Sequence, residues 1–212
     1  MLHTKTVTRE TLKLLKKLMA DPNLREFSLV GGTALSLYLG HRKSIDLDLF
    51  RKDSFSASAL SLYLKEKYNF QEDFQDNNTL KGFINDIKID FITHKYENVK
   101  TIHTIEKIRL YSLEDIAAMK LNAIADNGTR LKDFVDIVCL STTMSLNEML
   151  ESYQKKYPNT NAMRALRGLT YHADIIHESI DLINGEYNWN KVSKRIDEMI
   201  KNDTTKFLYM PF

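Results

Sequence analysis

The sequence predicts a two-part α/β (α+β) fold: a mixed sheet flanked by helices in residues 1–110, then a helical domain over 111–212. Three observations predict it. Between Phe27 and Phe50 an apolar run, a di-glycine, a short helical pattern and an alternating segment follow one another, which reads as strand, turn, helix, strand. Residues 69–93 hold alternating segments broken at Asn85-Asp86, the pattern of an antiparallel hairpin. From Ser112 onward the apolar residues recur at helical spacing and no strand pattern returns. A hairpin beside strands separated by a helix makes the sheet mixed.

Taken in order, residues 6–20 read as an amphipathic helix. Leu12, Leu15 and Met19 face inward, Lys13, Lys16 and Lys17 face solvent, and Asp21-Pro22 ends it. Phe27 to Val30 is a short buried strand and Thr33 to Leu39 a short helix opening at the glycines. A strand follows over 45–50, and Ser54 or Ser56 caps a helix running to about Lys67 with Leu60, Tyr63 and Leu64 on its apolar side. Strands come next at Asn69–Asp76, Leu80–Ile84 and Ile87–Thr93, and Ile108 to Tyr111 lies in a connecting stretch. Ser112-Leu113-Glu114-Asp115 resembles a capping box, starting a helix whose stripe is Leu113, Ile116, Ala117, Lys120, Ala123 and Ile124. Asp126-Asn127-Gly128 breaks it, and further helices are expected over 130–141, 145–157, 161–183 and 189–202.

A chain of 212 residues, 43% hydrophobic and 27% charged, has the composition of a globular protein with one good core or two small ones. Its net charge of +2 is spread without a basic tail, so any contact with nucleic acid must come from folded geometry. Cys139 is the sole cysteine, which excludes an intramolecular disulfide and fits a reducing cytoplasm. It sits in the run Ile137-Val138-Cys139-Leu140, as a buried hydrophobe rather than a nucleophile. No stretch has the apolar length of a membrane span or a secretory leader, so a cytoplasmic protein without a membrane partner is expected.

The chemistry concentrates in Gly31 to Phe50. In strict alternation Ile45, Leu47 and Leu49 fall on one face of a strand, and Asp46, Asp48 and Phe50 on the other. Two carboxylates on one face, roughly 6–7 Å apart at Cα, repel each other unless a cation lies between them. Hard oxygen ligands on a rigid strand suit Mg²⁺. Upstream, Gly31 and Gly32 let backbone amides approach a phosphate at the start of a helix. A phosphate loop followed by a metal-binding strand describes a phosphoryl-transfer site. Lys120 is the one charged member of an apolar stripe, either a stem packed on the core with its head in water or an ammonium placed to meet phosphate charge. On that apolar stripe, Lys120→Met is expected to leave stability level or raise it. Lys132-Asp133-Phe134-Val135-Asp136 puts two carboxylates on one helix surface. His41 precedes Arg42, and the other histidines lack a zinc spacing.

Gly-Gly-Thr at 31–33, then Arg-x-Ser-x-Asp-x-Asp-x-Phe at 42–50, resembles the first motif of AbiEii/AbiGii-type toxins of the nucleotidyltransferase (polymerase-beta-like) superfamily. Met-Lys-Leu-x-Ala around Lys120, followed by Arg130, Asp133 and Asp136, is similar to the later motifs of that group. The resemblance covers about residues 28–140 and implies a nucleotidyltransferase fold.

It further implies an Mg²⁺- or Mn²⁺-dependent enzyme that moves an NMP from an NTP to an acceptor hydroxyl. In that scheme Asp46 and Asp48 hold metal with Asp90 as third ligand. Gly31, Gly32, Thr33, Arg42 and Ser44 belong to the nucleotide-binding motif, and Arg42 or Lys120 offsets transition-state charge. Asp133 or Asp136 acts as general base or orients Lys120, the helical domain thereby adding a lysine and aspartates to the cleft. The implied acceptor is a tRNA end or another RNA, and the implied role is the toxin of an abortive-infection-type toxin–antitoxin pair with a cognate antitoxin. The alternatives are transfer to a small molecule, as in aminoglycoside nucleotidyltransferases, transfer to a protein hydroxyl, or a non-catalytic nucleotide-binding module.

Overall fold

The structure, a computed structural model, describes residues 1–212. The chain divides into two compact units. The first holds Met1–Tyr38, Ser44–Glu97 and Thr101–Tyr111; the second holds Leu39–Lys43, Asn98–Lys100 and Ser112–Phe212.

The first unit is built on a seven-stranded sheet: β1 (Ser28–Val30), β2 (Leu47–Arg51), β3 (Gln71–Asp76), β4 (Thr79–Ile84), β5 (Ile87–Thr93), β6 (His103–Ile105) and β7 (Ile108–Leu110). Their order is β3-β4-β5-β2-β1-β7-β6. β2 runs parallel to β5 and β7 parallel to β1, while the remaining neighbours are antiparallel, so the sheet is mixed. Leu29, Leu47, Leu49, Ile89 and Phe91 are sealed in its core. Asn85 and Asp86 both take positive φ (50° and 62°), the two-residue turn whose twist matches an antiparallel hairpin. Thr8 caps α1 (Arg9–Met19) through its side chain on the Thr11 amide, and Ser56 caps α3 (Ala57–Tyr68) on that of Ala59. α2 (Gly31–Leu39) starts directly where β1 ends.

The stretch 103–110, expected as a connection, is a second hairpin turning at Glu106 and Lys107 (φ 51° and 67°). Its strands are three residues each, and the pairing that holds them, Leu110 beside Leu29, is invisible in local pattern. Ile45 is 58% exposed rather than on the core face, because β2 begins only at Leu47.

The second unit is helical: α4 (Leu113–Asp126), α5 (Leu131–Leu140), α6 (Leu146–Lys156), α7 (Ala162–Thr170) and α8 (Trp189–Lys201). The sides of α4 meet α5, α6 and α7, and Ser112 caps its start on the Asp115 amide. Asp115 does not reach back to its own cap backbone. Its carboxylate instead accepts the amides of Val99 and Lys100 and pairs with the buried Lys156 at 2.7 Å. The helix expected over 161–183 ends at Thr170. Beyond it the backbone finds other partners: Ile176 N–H donates to Thr129 O, Ile183 N–H to His41 O, and Lys43 N–H to Asp181 O. Bonds of that kind replace the intrahelical ladder. No helix is long and apolar enough to cross a membrane. Burial pushes the Cys139 thiol up, leaving it inert as a nucleophile.

Candidate active site

The residues singled out by sequence fall into two groups, one in each unit. In the first unit, register decides the geometry. Asp48 pairs with Val30 of β1 on one side and with Asp90 of β5 on the other. Paired residues of neighbouring strands point to the same face about 4.8 Å apart, so Asp48 and Asp90 form a carboxylate pair across β2 and β5. Gly31 explains how Asp48 fits. It has φ +74°, and a Cβ there would collide with Asp48 Oδ2. The glycine thus serves both the left-handed turn into α2 and the carboxylate packed against it.

Asp90 is 8% exposed; its Oδ2 lies 3.4 Å from Lys81 Nζ, and its Oδ1 is buried with no hydrogen-bond partner. A buried acceptor without a donor is costly unless a cation or water serves it. Beside a second carboxylate in register, that orphaned oxygen has the chemistry of a hard divalent-cation ligand. Asp46 is exposed on the extended segment before β2. No three His, Cys, Asp or Glu side chains are grouped closely enough to hold a metal ion. Of the expected trio, Asp48 and Asp90 are paired in register, and Asp46 precedes β2. Repulsion between like charges and the pull of Lys81 both act against closer approach.

Thr33 is fully buried, and its hydroxyl lies 2.8 Å from Ser44 Oγ and donates to the Asp46 carbonyl. Thr33 and Ser44 tie the start of α2 to the segment carrying Asp46. The candidate anion donors left are the backbone amides at Gly31 and Gly32, half-buried at the head of a nine-residue helix.

The second group lies in the second unit and is an ion cluster. Asp136 of α5 receives Arg42 Nε on Oδ1 at 2.7 Å and Arg42 Nη2 on Oδ2 at 2.9 Å. His41 Nε2 is 2.9 Å from the same Oδ1, and Lys120 Nζ of α4 is 2.7 Å from Oδ2. Lys120 also donates to Asp133 Oδ1 at 2.6 Å, while Arg130 Nε is 3.5 Å from Asp133 Oδ2. Arg42, Lys120, Asp133 and Asp136 are all buried. Burial by itself would raise Asp136, yet Arg42 and Lys120 beside it, with hydrogen bonds from His41 and Arg42, hold it well below the usual carboxylate range. Burial would lower Lys120, and the Asp136 and Asp133 carboxylates more than reverse that, so the ammonium stays charged.

Two expectations change here. Arg42, placed by its motif near a triphosphate, directs Nε and Nη2 to Asp136 and Nη1 to the Lys43 carbonyl, with its side chain 4% exposed. Asp136 takes three hydrogen bonds and an ion pair from Lys120, which favour its charged form and argue against a general base. Lys120 donates one hydrogen bond to Asp133, pairs with Asp136 as an ion, and keeps 8% of its side chain exposed. His41 was not expected in this cluster. Its one sequence signal is its place directly before Arg42, and its partner Asp136 lies 95 residues away.

Comparison with known proteins bears on both groups. The family model described as the nucleotidyl transferase AbiEii toxin of type IV toxin–antitoxin systems matches residues 13–210. An uncharacterized protein of Aquifex aeolicus is 28% identical over 199 residues, covering 91% of this chain and 95% of the relative. The crystal structure of JHP933 from Helicobacter pylori superposes with a TM-score of 0.56 at 17% identity, covering 93% of each chain. A second Helicobacter pylori structure, described as a candidate nucleotidyltransferase, superposes at 0.55 with 18% identity, covering 93% of this chain and 96% of that one.

Proposed function

The chain belongs to the AbiEii nucleotidyl transferase toxin family and is a nucleotidyltransferase, and we propose that it transfers an NMP from an NTP to a hydroxyl of tRNA or another RNA, with Mg²⁺ or Mn²⁺. In this reading it acts in the cytoplasm as the toxin of an abortive-infection-type pair, restrained by a cognate antitoxin. The observation that carries the metal assignment is the register pair of Asp48 and Asp90, with Asp90 Oδ1 buried and unpartnered.

Asp48 and Asp90, with Asp46, would hold the divalent cation; once bound, the ion supplies Lewis-acid activation of the acceptor hydroxyl and charge neutralisation of the departing pyrophosphate. The chain's own groups do the rest. Backbone amides at Gly31 and Gly32 bind phosphate oxygens. Lys120 donates an N–H to the triphosphate, where negative charge moves as the bond to the leaving group breaks. Asp133 and Asp136 keep that ammonium charged and aimed, and Arg42 fixes Asp136 through a two-point fork.

The decisive experiment incubates purified protein with each α-labelled NTP, Mg²⁺ and total RNA and identifies the labelled product. Label appearing in RNA with one NTP, lost in Asp48→Asn, supports the reading. Label confined to a small molecule or to protein, or no transfer with any NTP, overturns the RNA assignment.

A further inference from the structure

His41 sits in the ion cluster, and its contacts define one protonation state. Its side chain is fully buried, Nε2 is 2.9 Å from Asp136 Oδ1, and Nδ1 is buried without a hydrogen-bond partner. A proton on Nδ1 alone would set the Nε2 lone pair against a carboxylate oxygen and bury an N–H with no acceptor. Protons on both nitrogens would again strand the Nδ1–H. They would also add a third cation to Arg42 and Lys120, whose charges Asp133 and Asp136 already balance. Only the neutral ring with hydrogen on Nε2 satisfies the contacts that exist.

We infer that His41 is a positioning residue for nucleotidyl transfer: as a neutral donor it fills Asp136 Oδ1, so that Oδ2 is the oxygen left to hold Lys120. Arg42 and His41 together saturate Oδ1. Without the imidazole donor that oxygen has an open lone pair beside a lysine ammonium, and Lys120 acquires a second resting place on Asp136 Oδ1. A proton added to His41 acts in the same direction by repelling Lys120.

The groups facing the ring are few. Arg42 comes from its own segment, Lys120 from α4 and Asp136 from α5. Asp181 of the segment after α7 pairs in solvent with Lys43. Burial lowers His41, Asp136 pulls it up, and Arg42 and Lys120 push it down; the balance is downward. Neutral His41 is thus the working form, and its protonation on the acid side switches the cluster off.

The inference rests on Lys120 acting on the triphosphate, so the test carries its own control. Label transfer is measured from pH 5 to 9 for wild type, His41→Gln, His41→Phe and Lys120→Met, and the imidazole nitrogens of His41 are observed by ¹⁵N NMR. The expected spectrum at pH 7 is a neutral ring protonated on Nε2. His41→Phe, with no donor, is expected to lose about tenfold in kcat with little change in KM for NTP, the factor for one weak hydrogen bond to a charged group. His41→Gln offers a neutral N–H at similar reach; it should recover most of the turnover and lose the acid limb that wild type shows. A merely structural role would lower Tm in His41→Phe and leave the acid limb of His41→Gln in place.

If Lys120→Met is impaired while His41→Gln keeps the wild-type acid limb, the inference falls and the proposed function stands. If Lys120→Met turns over like wild type, the assignment of Lys120 falls and this inference with it. A doubly protonated or Nδ1-protonated ring at pH 7 overturns it without any activity measurement, and His41→Gln decides the case should His41→Phe fail to fold.

Discussion

Lys120→Met tests the ion cluster most directly, because the structure reverses the sign that the sequence pattern suggests. A lysine on an apolar helix stripe could be replaced by methionine at no loss, since the stem volume is kept and an ammonium leaves the core. Here the ammonium bridges Asp133 Oδ1 at 2.6 Å and Asp136 Oδ2 at 2.7 Å. Removing it leaves two buried carboxylates. Asp136 keeps Arg42 and His41, but Asp133 keeps only Arg130 at 3.5 Å, whose side chain is 67% exposed. Stripping one partner from a buried ion pair costs about 3–5 kcal/mol. For a domain of this size each kcal/mol lowers Tm by roughly 2–4 °C, so calorimetry at pH 7 should show a fall of about 6–20 °C. Adding Asp133→Asn removes the stranded charge, and the double variant should melt above Lys120→Met alone. In the transfer assay the loss of a charge-assisted contact worth roughly 1.5–3 kcal/mol is a ten- to hundredfold drop. A Tm within about 2 °C of wild type, on a scale where 1 kcal/mol is already visible, would refute the cluster's energetic role.

Other consequences are as specific. Gly31→Ala forces a side chain into the left-handed region, at a cost of about 1–2 kcal/mol, and against Asp48 Oδ2; urea denaturation should show lower stability and the assay a loss of transfer. Mg²⁺ with NTP should raise the Tm of wild type by linkage, and Asp90→Asn should remove most of that rise, since it takes the negative charge from the carboxylate with the unpartnered oxygen; an unchanged shift in Asp90→Asn would move the metal elsewhere. Asp48→Asn should abolish transfer while circular dichroism stays native, because Asp48 is only half-buried. Asp21 would be raised by burial, but hydrogen bonds from Tyr68, Tyr63 and Lys67 and the Asn23 amide bring it from 3.8 to about 2. With its folded value depressed, its contribution of about 2 kcal/mol is complete above pH 4 and lost as pH falls through 2. Tyr68→Phe should therefore destabilise the protein more at pH 6 than at pH 2, as read by urea titration at both.

Local chemistry accounts for what was legible in the chain by itself. Alternation about Leu47, Asp48 and Leu49, the turn at Asn85-Asp86 and the caps at Ser56 and Ser112 each depend on neighbours within a few residues, and each stands in the structure as a strand, a hairpin or a helix start. The family too was readable, since its motifs are short and contiguous. What the sequence could not contain is pairing across long separations. Arg42 and Asp136 are 94 residues apart, and nothing local in Arg-x-Ser-x-Asp tells a guanidinium bound to a carboxylate from one left for phosphate. His41 entered by the same route, at a distance of 95 residues. The hairpin of β6 and β7 exists because Leu110 lies beside Leu29, and the helical pattern past Thr170 gives way because the amides of Ile176 and Ile183 find carbonyls at Thr129 and His41. Even the neighbour of Asp48 is a matter of register: a slip of one residue between β2 and β5 would turn the Asp90 carboxylate to the opposite face of the sheet. Hydrogen bonds and buried charges are satisfied by whatever the fold brings within 3 Å, and only the folded chain has that distance to measure.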